Sequence, residues 1–226
     1  MVGVGVEIVR GSSPHSRTGR SLVRGKDTTV LIFRTSILIL LLTLASSLAS
    51  EAAEVIRFKL LPQESQILTQ VPNPFGIVNG KFTVREGEAN GDIQDLQGTG
   101  QVRITIDAAS YNSNIGLRDE DIQEYYLEVE EFPVIVFTST GIEDVKKSQS
   151  PEKAWEFTIR GVLKLHGVER ELRVPVKLTQ EGKRITVKGK IKILFEDFNI
   201  ATPVLLFIRS GNHTEVSFRF VAEQQP

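Results

Sequence analysis

Two histidines, His166 and His213, are the only imidazoles beyond residue 50, and the chain has no cysteine. A zinc site needs three or four His, Cys or carboxylate ligands at short fixed spacings, and no His-x-x-x-His or equivalent pattern is present. Each histidine stands beside turn-forming residues, in His166-Gly167 and Gly211-Asn212-His213, and reads as a turn position set by the backbone. Without cysteine, and without a Gly-x-Ser-x-Gly elbow, no nucleophile for covalent catalysis is visible. The acidic cluster Glu120, Asp121, Glu124, Glu128, Glu130 and Glu131 reads as a solvated face rather than an acid/base pair. No catalytic residue, metal ligand or cofactor is assigned.

Arg118-Asp119 is the best polar candidate. A guanidinium forms forked hydrogen bonds, so Arg118 suits a phosphate or amide head group. The competing reading is a loop-ordering contact, with Asp119 as N-cap of a short helix. Arg170 is a second candidate: the hairpin that holds it puts it on the face of Leu172, pointing inward at a barrel end, unless it splays into solvent.

These residues hang on strands. Trp155, Phe157, Ile159, Gly161, Leu163 and Leu165 alternate with more polar neighbours, and Leu172, Val174, Val176 and Leu178 resume the pattern after His166-Gly167. Period two marks strands with one apolar face, and the Gly-containing joint reads as a tight hairpin with Gly167 at positive φ. Further strands are expected at 55–61, 66–71, 80–85, 100–108, 134–142, 184–195 and 215–222. Long one-faced strands joined in sequence order by short turns favour an all-β, antiparallel up-and-down barrel of about eight strands, closed so that no edge remains. Residues 110–131, with helical character at 119–130, and 197–212 are expected as caps over a barrel end. The inward set Phe82, Val102, Ile104, Ile106, Phe137, Phe157, Ile159, Ile191, Ile193 and Phe218 either fills itself or surrounds an apolar ligand. Gly161 and Gly189 lie on inward faces, where a missing side chain leaves space or marks a bulge.

Residues 1–50 have a different character. A leader with Arg10, Arg17, Arg20, Arg24, Lys26 and Arg34 precedes the apolar run 37–44 and the small residues Ala45 to Ser50. Basic, apolar and small in that order is a secretory signal, with cleavage expected between Ala49 and Glu54. Arg34 and Glu51 fence the run too tightly for a permanent span of about 20 apolar residues. Residues 51–226 then form one exported domain, periplasmic or secreted. The leader holds six of the 27 basic and two of the 28 acidic residues, so the rest has an acidic excess that argues against nucleic acid. Three Tyr and one Trp are few for the aromatic girdles of a transmembrane barrel, so the domain is expected to be soluble after cleavage.

Across residues 55–222 the chain resembles the YceI-like family of periplasmic, lipocalin-like barrels regarded as polyisoprenoid-binding. Ser65 and Gly80-Lys81-Phe82 look like the early strands of that family. Ser110, Arg118-Asp119 and the run from Tyr126 to Pro133 look like its central motif, Phe137-Thr138-Ser139 like the strand that follows, and the run from Gly161 to Val168 like its hairpin. Two departures stand out: Ser113-Asn114-Ile115 where the family has a Thr-Gly-Asn run, and Asp121 where it often has His. No head-group or metal role for that His carries over. The resemblance implies a non-catalytic binding protein holding a polyisoprenoid or other lipid inside the barrel. The rival readings are a solid-cored interaction module of the envelope and, last, an enzyme acting on lipid-like substrates. The oligomeric state is left open, a homodimer included.

Overall fold

A computed structural model describes residues 55–148, 154–205 and 207–226. The expected signal segment lies outside the described residues. Eleven strands follow: β1 (Ile56–Leu60), β2 (Gln66–Asn73), β3 (Gly76–Gly91), β4 (Gln101–Asn112), β5 (Val134–Lys147), β6 (Ala154–Leu165), β7 (Val168–Glu181), β8 (Arg184–Leu194), β9 (Val204–Leu205), β10 (Ile208–Arg209) and β11 (His213–Gln224). β2 through β8 pair in sequence order, and β11 closes the ring by pairing with both β8 and β2. β1 and β2 lie between the same two neighbours, β11 and β3, and act as one stave broken at residues 61–65. The result is a closed, antiparallel, eight-stave barrel.

Alternation accounts for every long stave, and its failures mark bulges. β3 runs well past the expected Arg85 because the register slips between Val84 and Glu86. That slip returns Gly87 and Ala89, opposite Ile104 and Val102, to the inner face. A bulge changes the phase of the side chains, so a strict period-two reading stops there.

Serines repair the ladder at these irregularities. Ser65 Oγ donates to the Leu61 carbonyl at 2.9 Å and accepts from Val221 N at 3.1 Å, bridging the broken first stave to β11. Ser110 Oγ accepts from Thr83 N at 2.8 Å, next to a register break between β3 and β4. Ser139 Oγ accepts from Val102 N at 2.7 Å, where β5 bulges. A buried N–H left without a partner costs about as much as a lost hydrogen bond, and a short hydroxyl satisfies it where no carbonyl lies opposite.

His166 and Gly167 form the two-residue loop between β6 and β7, with φ of 51° and 71°. Both central residues in the left-handed region are what a hairpin of this length requires. At this end of the barrel two segments fold over the opening. The first contains a helix at Gly116–Asp121 that widens into a π-turn at Ile122–Tyr126. The second contains a 3-10 turn at Glu196–Phe198 and the β9–β10 ribbon. Phe198, among the most buried side chains, packs with Ile135, Leu163 and Ile193. At the opposite end the β3–β4 connection places Ile93 and Leu96 against the core.

Candidate functional site

An apolar cavity of about 270 Å³ runs inside the barrel. All ten apolar residues expected on the inner face line it: Phe82, Val102, Ile104, Ile106, Phe137, Phe157, Ile159, Ile191, Ile193 and Phe218. Register explains the arrangement. Ile104 pairs with Phe137 and Phe137 with Leu163, while Ile142 pairs with Ile159, so one layer follows another around the wall. Ile122, Tyr126 and Leu127 from the first cap segment, and Phe195, Ile200 and Pro203 from the second, close one end. The wall that faces the void is almost entirely carbon.

The inward glycines do not create this space. A Cβ at Gly161 would lie 2.4 Å from Phe137 Cζ, and one at Gly189 would lie 2.4 Å from Phe218 Cζ. Each missing side chain is occupied by an aromatic ring from the neighbouring strand, an arrangement that covers exposed glycine backbone. Of the two readings of these glycines, the one that leaves space is therefore corrected, while opposite Gly161 the register does slip, between Ser139 and Gly141. Gly80 makes a third seat, with Tyr111 as its occupant, since a Cβ there would lie 2.5 Å from the ring.

The polar candidates separate from the cavity. Arg118 does not line it. Its Nε donates to Ser113 Oγ at 2.7 Å and an Nη to the Ser113 carbonyl at 3.1 Å. Asp119 is buried and accepts from both the amide (2.8 Å) and the hydroxyl of Ser113. It sits within the helix, whose N-cap position is Ile115, so the N-cap role is corrected. Both charges order the loop that replaces the Thr-Gly-Asn run, and Gln123 Nε2 ties the same segment to the Tyr111 carbonyl at 2.9 Å. Arg170 pairs with Leu163 in register, which gives it inward parity, yet it is exposed and donates to the Glu169 carbonyl at 3.1 Å. At a strand end a guanidinium reaches water more cheaply than it enters an apolar barrel.

His166 does more than supply a turn. Its Nδ1 donates to the Phe198 carbonyl at 3.1 Å, its Nε2 meets Glu128 Oε2 at 2.8 Å, and its ring packs edge-on against Phe132. One side chain thus links the β6–β7 turn to both cap segments. All six acids of the 120–131 cluster, Glu128 included, are exposed. His213 Nδ1 meets Asn212 Oδ1 at 3.3 Å in its turn. Among the described residues no group of three or more His, Cys, Asp or Glu is placed to hold a metal ion. No described helix is long and apolar enough to cross a membrane.

Thr69 and Tyr111 are among the cavity residues that alternation missed. Thr69 has inward parity between Ile67 and Val71, but its hydroxyl makes it look like a solvent position. Tyr111 has the outward parity of β4. The slip that takes β3 from Lys81 to Thr83 takes β4 from Asn112 to Asp107, and this turns the ring inside. Burial pushes its phenol above the ordinary tyrosine range, and Arg118 only partly offsets the shift.

Comparison with known proteins agrees with this architecture. The sequence pattern of the YceI-like domain matches residues 58–222. The fold resembles the crystal structure of Burkholderia cenocepacia BcnA, with a TM-score of 0.60 and 18% identity over 72% of this chain and 98% of that one. It equally resembles a polyisoprenoid binding domain from Saccharophagus degradans implicated in plant cell wall breakdown, with a TM-score of 0.60 and 16% identity over 74% and 98%. No curated protein matches the sequence.

Proposed function

The chain belongs to the YceI-like family, and we propose that it is a non-catalytic binding protein that encloses a long apolar molecule, polyisoprenoid-like or another lipid, along the barrel axis. The observation that carries this reading is the carbon-walled cavity. A void of 270 Å³ left empty costs roughly 6 kcal/mol at about 24 cal/mol per Å³. That approaches the whole stability of a typical domain, about 5–15 kcal/mol. Filling it with a chain ligand removes that cost, and each methylene taken from water adds roughly 0.8 kcal/mol. Affinity then comes from burial with little polar help. The description of the Saccharophagus degradans relative as polyisoprenoid-binding supports the same ligand class.

The basic–apolar–small order of residues 1–50 supports export to the periplasm or beyond, where such a carrier would move or sequester lipids between membranes. N-terminal sequencing of the exported protein checks this; a membrane-embedded form retaining residues 37–48 would overturn it. The test of the ligand is native mass spectrometry of protein purified from its own host, followed by lipid extraction. A long-chain apolar lipid in stoichiometric amount is expected. A barrel that is empty as isolated, and takes up no apolar probe, would overturn the reading.

A further inference from the structure

We propose that Thr69 and Tyr111 form a polar subsite inside the apolar cavity, selecting ligands that carry a neutral oxygen function, a hydroxyl or a carbonyl, over ligands with anionic head groups. The inference rests on the carrier reading above and adds the chemistry of the ligand's polar end.

Thr69 and Tyr111 are 5% and 6% exposed, so neither hydroxyl is a surface group. Thr69 pairs across the ladder with Gly80, and the Tyr111 ring lies over Gly80, where a Cβ would come within 2.6 Å of the phenol oxygen. The two hydroxyls therefore share one patch of wall, held there by the glycine seat. Thr69 Oγ1 lies within reach of the Tyr111 phenol and has no other hydrogen-bond partner among the described residues. The other hydroxyls around the cavity are engaged. Tyr126 accepts from Val204 N at 3.0 Å, and Thr214 Oγ1 donates to the Gln70 carbonyl at 3.4 Å. Two adjoining buried hydroxyls that have only each other leave hydrogen-bonding capacity unused, and a ligand oxygen at this place would use it.

The charge around the patch decides which oxygen. Among the described residues no lysine or arginine lines the cavity, and the one charged residue that does, Glu88, lies in the half of β3 that pairs with β1. The nearby Arg118 guanidinium is committed to Ser113 by two hydrogen bonds. A phosphate here would be desolvated without a counter-charge, which is costly, whereas a hydroxyl or carbonyl needs one or two hydrogen bonds. Because burial holds the Tyr111 phenol in its protonated form, it remains a donor.

Delipidated protein is titrated with geranylgeraniol, with phytane (a hydrocarbon of the same skeleton) and with geranylgeranyl diphosphate. The alcohol is expected to bind roughly tenfold more tightly than phytane, the size of one or two net hydrogen bonds. The diphosphate should bind most weakly. The near-isosteric pair Thr69→Val and Tyr111→Phe should bring the alcohol down to phytane's affinity and leave phytane unchanged. Thr69→Val alone removes one hydroxyl of the pair and leaves the phenol, so it keeps the test valid if the double variant folds poorly, and it too should reduce the preference. Equal binding of alcohol and phytane by the wild type, an undiminished preference in the variants, or tighter binding of the diphosphate would overturn the subsite while leaving the carrier reading intact. Failure of the wild type to bind any probe, phytane included, would remove the carrier reading and the subsite with it.

Discussion

Between Ala154 and Thr179 two staves pair without interruption, from Ala154 opposite Thr179 to Leu165 opposite Val168. Between Ser113 and Phe132, by contrast, the polar ties of the cap are few, Asp119 and Arg118 on Ser113, Gln123 on Tyr111, Tyr126 on Val204 and His166 on Glu128, beside the apolar packing of Tyr126, Leu127 and Val129. The wall is redundant. Each of its bonds is one of many and its apolar contacts overlap, so losing one contact leaves its neighbours in place. The cap has single points of attachment and should loosen piece by piece. A carrier of the kind proposed would need this division, because opening draws on the least stable part of a structure.

The comparison breaks most severely where the wall has no slack. In Gly161→Val the new side chain meets Phe137, and its Cβ lies 2.6 Å from the Thr138 carbonyl oxygen, which the ladder holds fixed. Overpacking of this kind should cost about 3 kcal/mol or more, read as a lower urea midpoint. The same midpoint as wild type would mean that β5 and β6 part readily to admit the side chain, and that the wall has slack.

A smaller, more local loss is expected from Asp119→Ala. It strips the partners from a buried amide and hydroxyl of Ser113 and leaves Arg118 without its neighbouring carboxylate. A loss of about 2 kcal/mol follows from the cost of stranded buried donors. Hydrogen exchange should speed up at Ser113 and through 116–126 while the amides of β6 and β7 keep their protection. Uniform acceleration through the barrel would show that cap and wall unfold as one unit.

The smallest effect belongs to His166→Gln. It gives up the contact to the Phe198 carbonyl or to Glu128 and keeps the turn, at about 1 kcal/mol or less because Glu128 is half exposed and screened. Stopped-flow measurement of apolar-probe uptake sharpens the comparison further. Faster entry with an almost unchanged melting temperature is expected if His166 ties the two cap segments together, whereas unaltered entry kinetics would detach it from that task.

The wall was legible because period two is a local property. Ile104 and Ile159 could be assigned to the inner face from their nearest neighbours in sequence, and closure followed from having many such staves with no edge to spare. Positive φ at Gly167 was equally readable from a two-residue joint between alternating runs. Arg170 shows where this reasoning stops: its parity was right, but desolvation cost moved the guanidinium to water. The cap gave a weaker signal because its contacts join Ser113 to Asp119 and Glu128 to His166 through the side chains of short, irregular segments.

Sequence alone was enough for most of the staves, their inward faces, the hairpin and the apolar character of the barrel interior. Those properties depend on alternation and turn chemistry within a few residues. Tertiary structure alone decided that Phe137 and Phe218 fill the glycine gaps, that Arg118 turns toward Ser113, and that a slipped register brings Tyr111 inside beside Thr69. Each of these outcomes depends on where a bulge shifts the phase of one strand against a partner far away in the chain, and a periodicity read along a single strand carries no information about that offset.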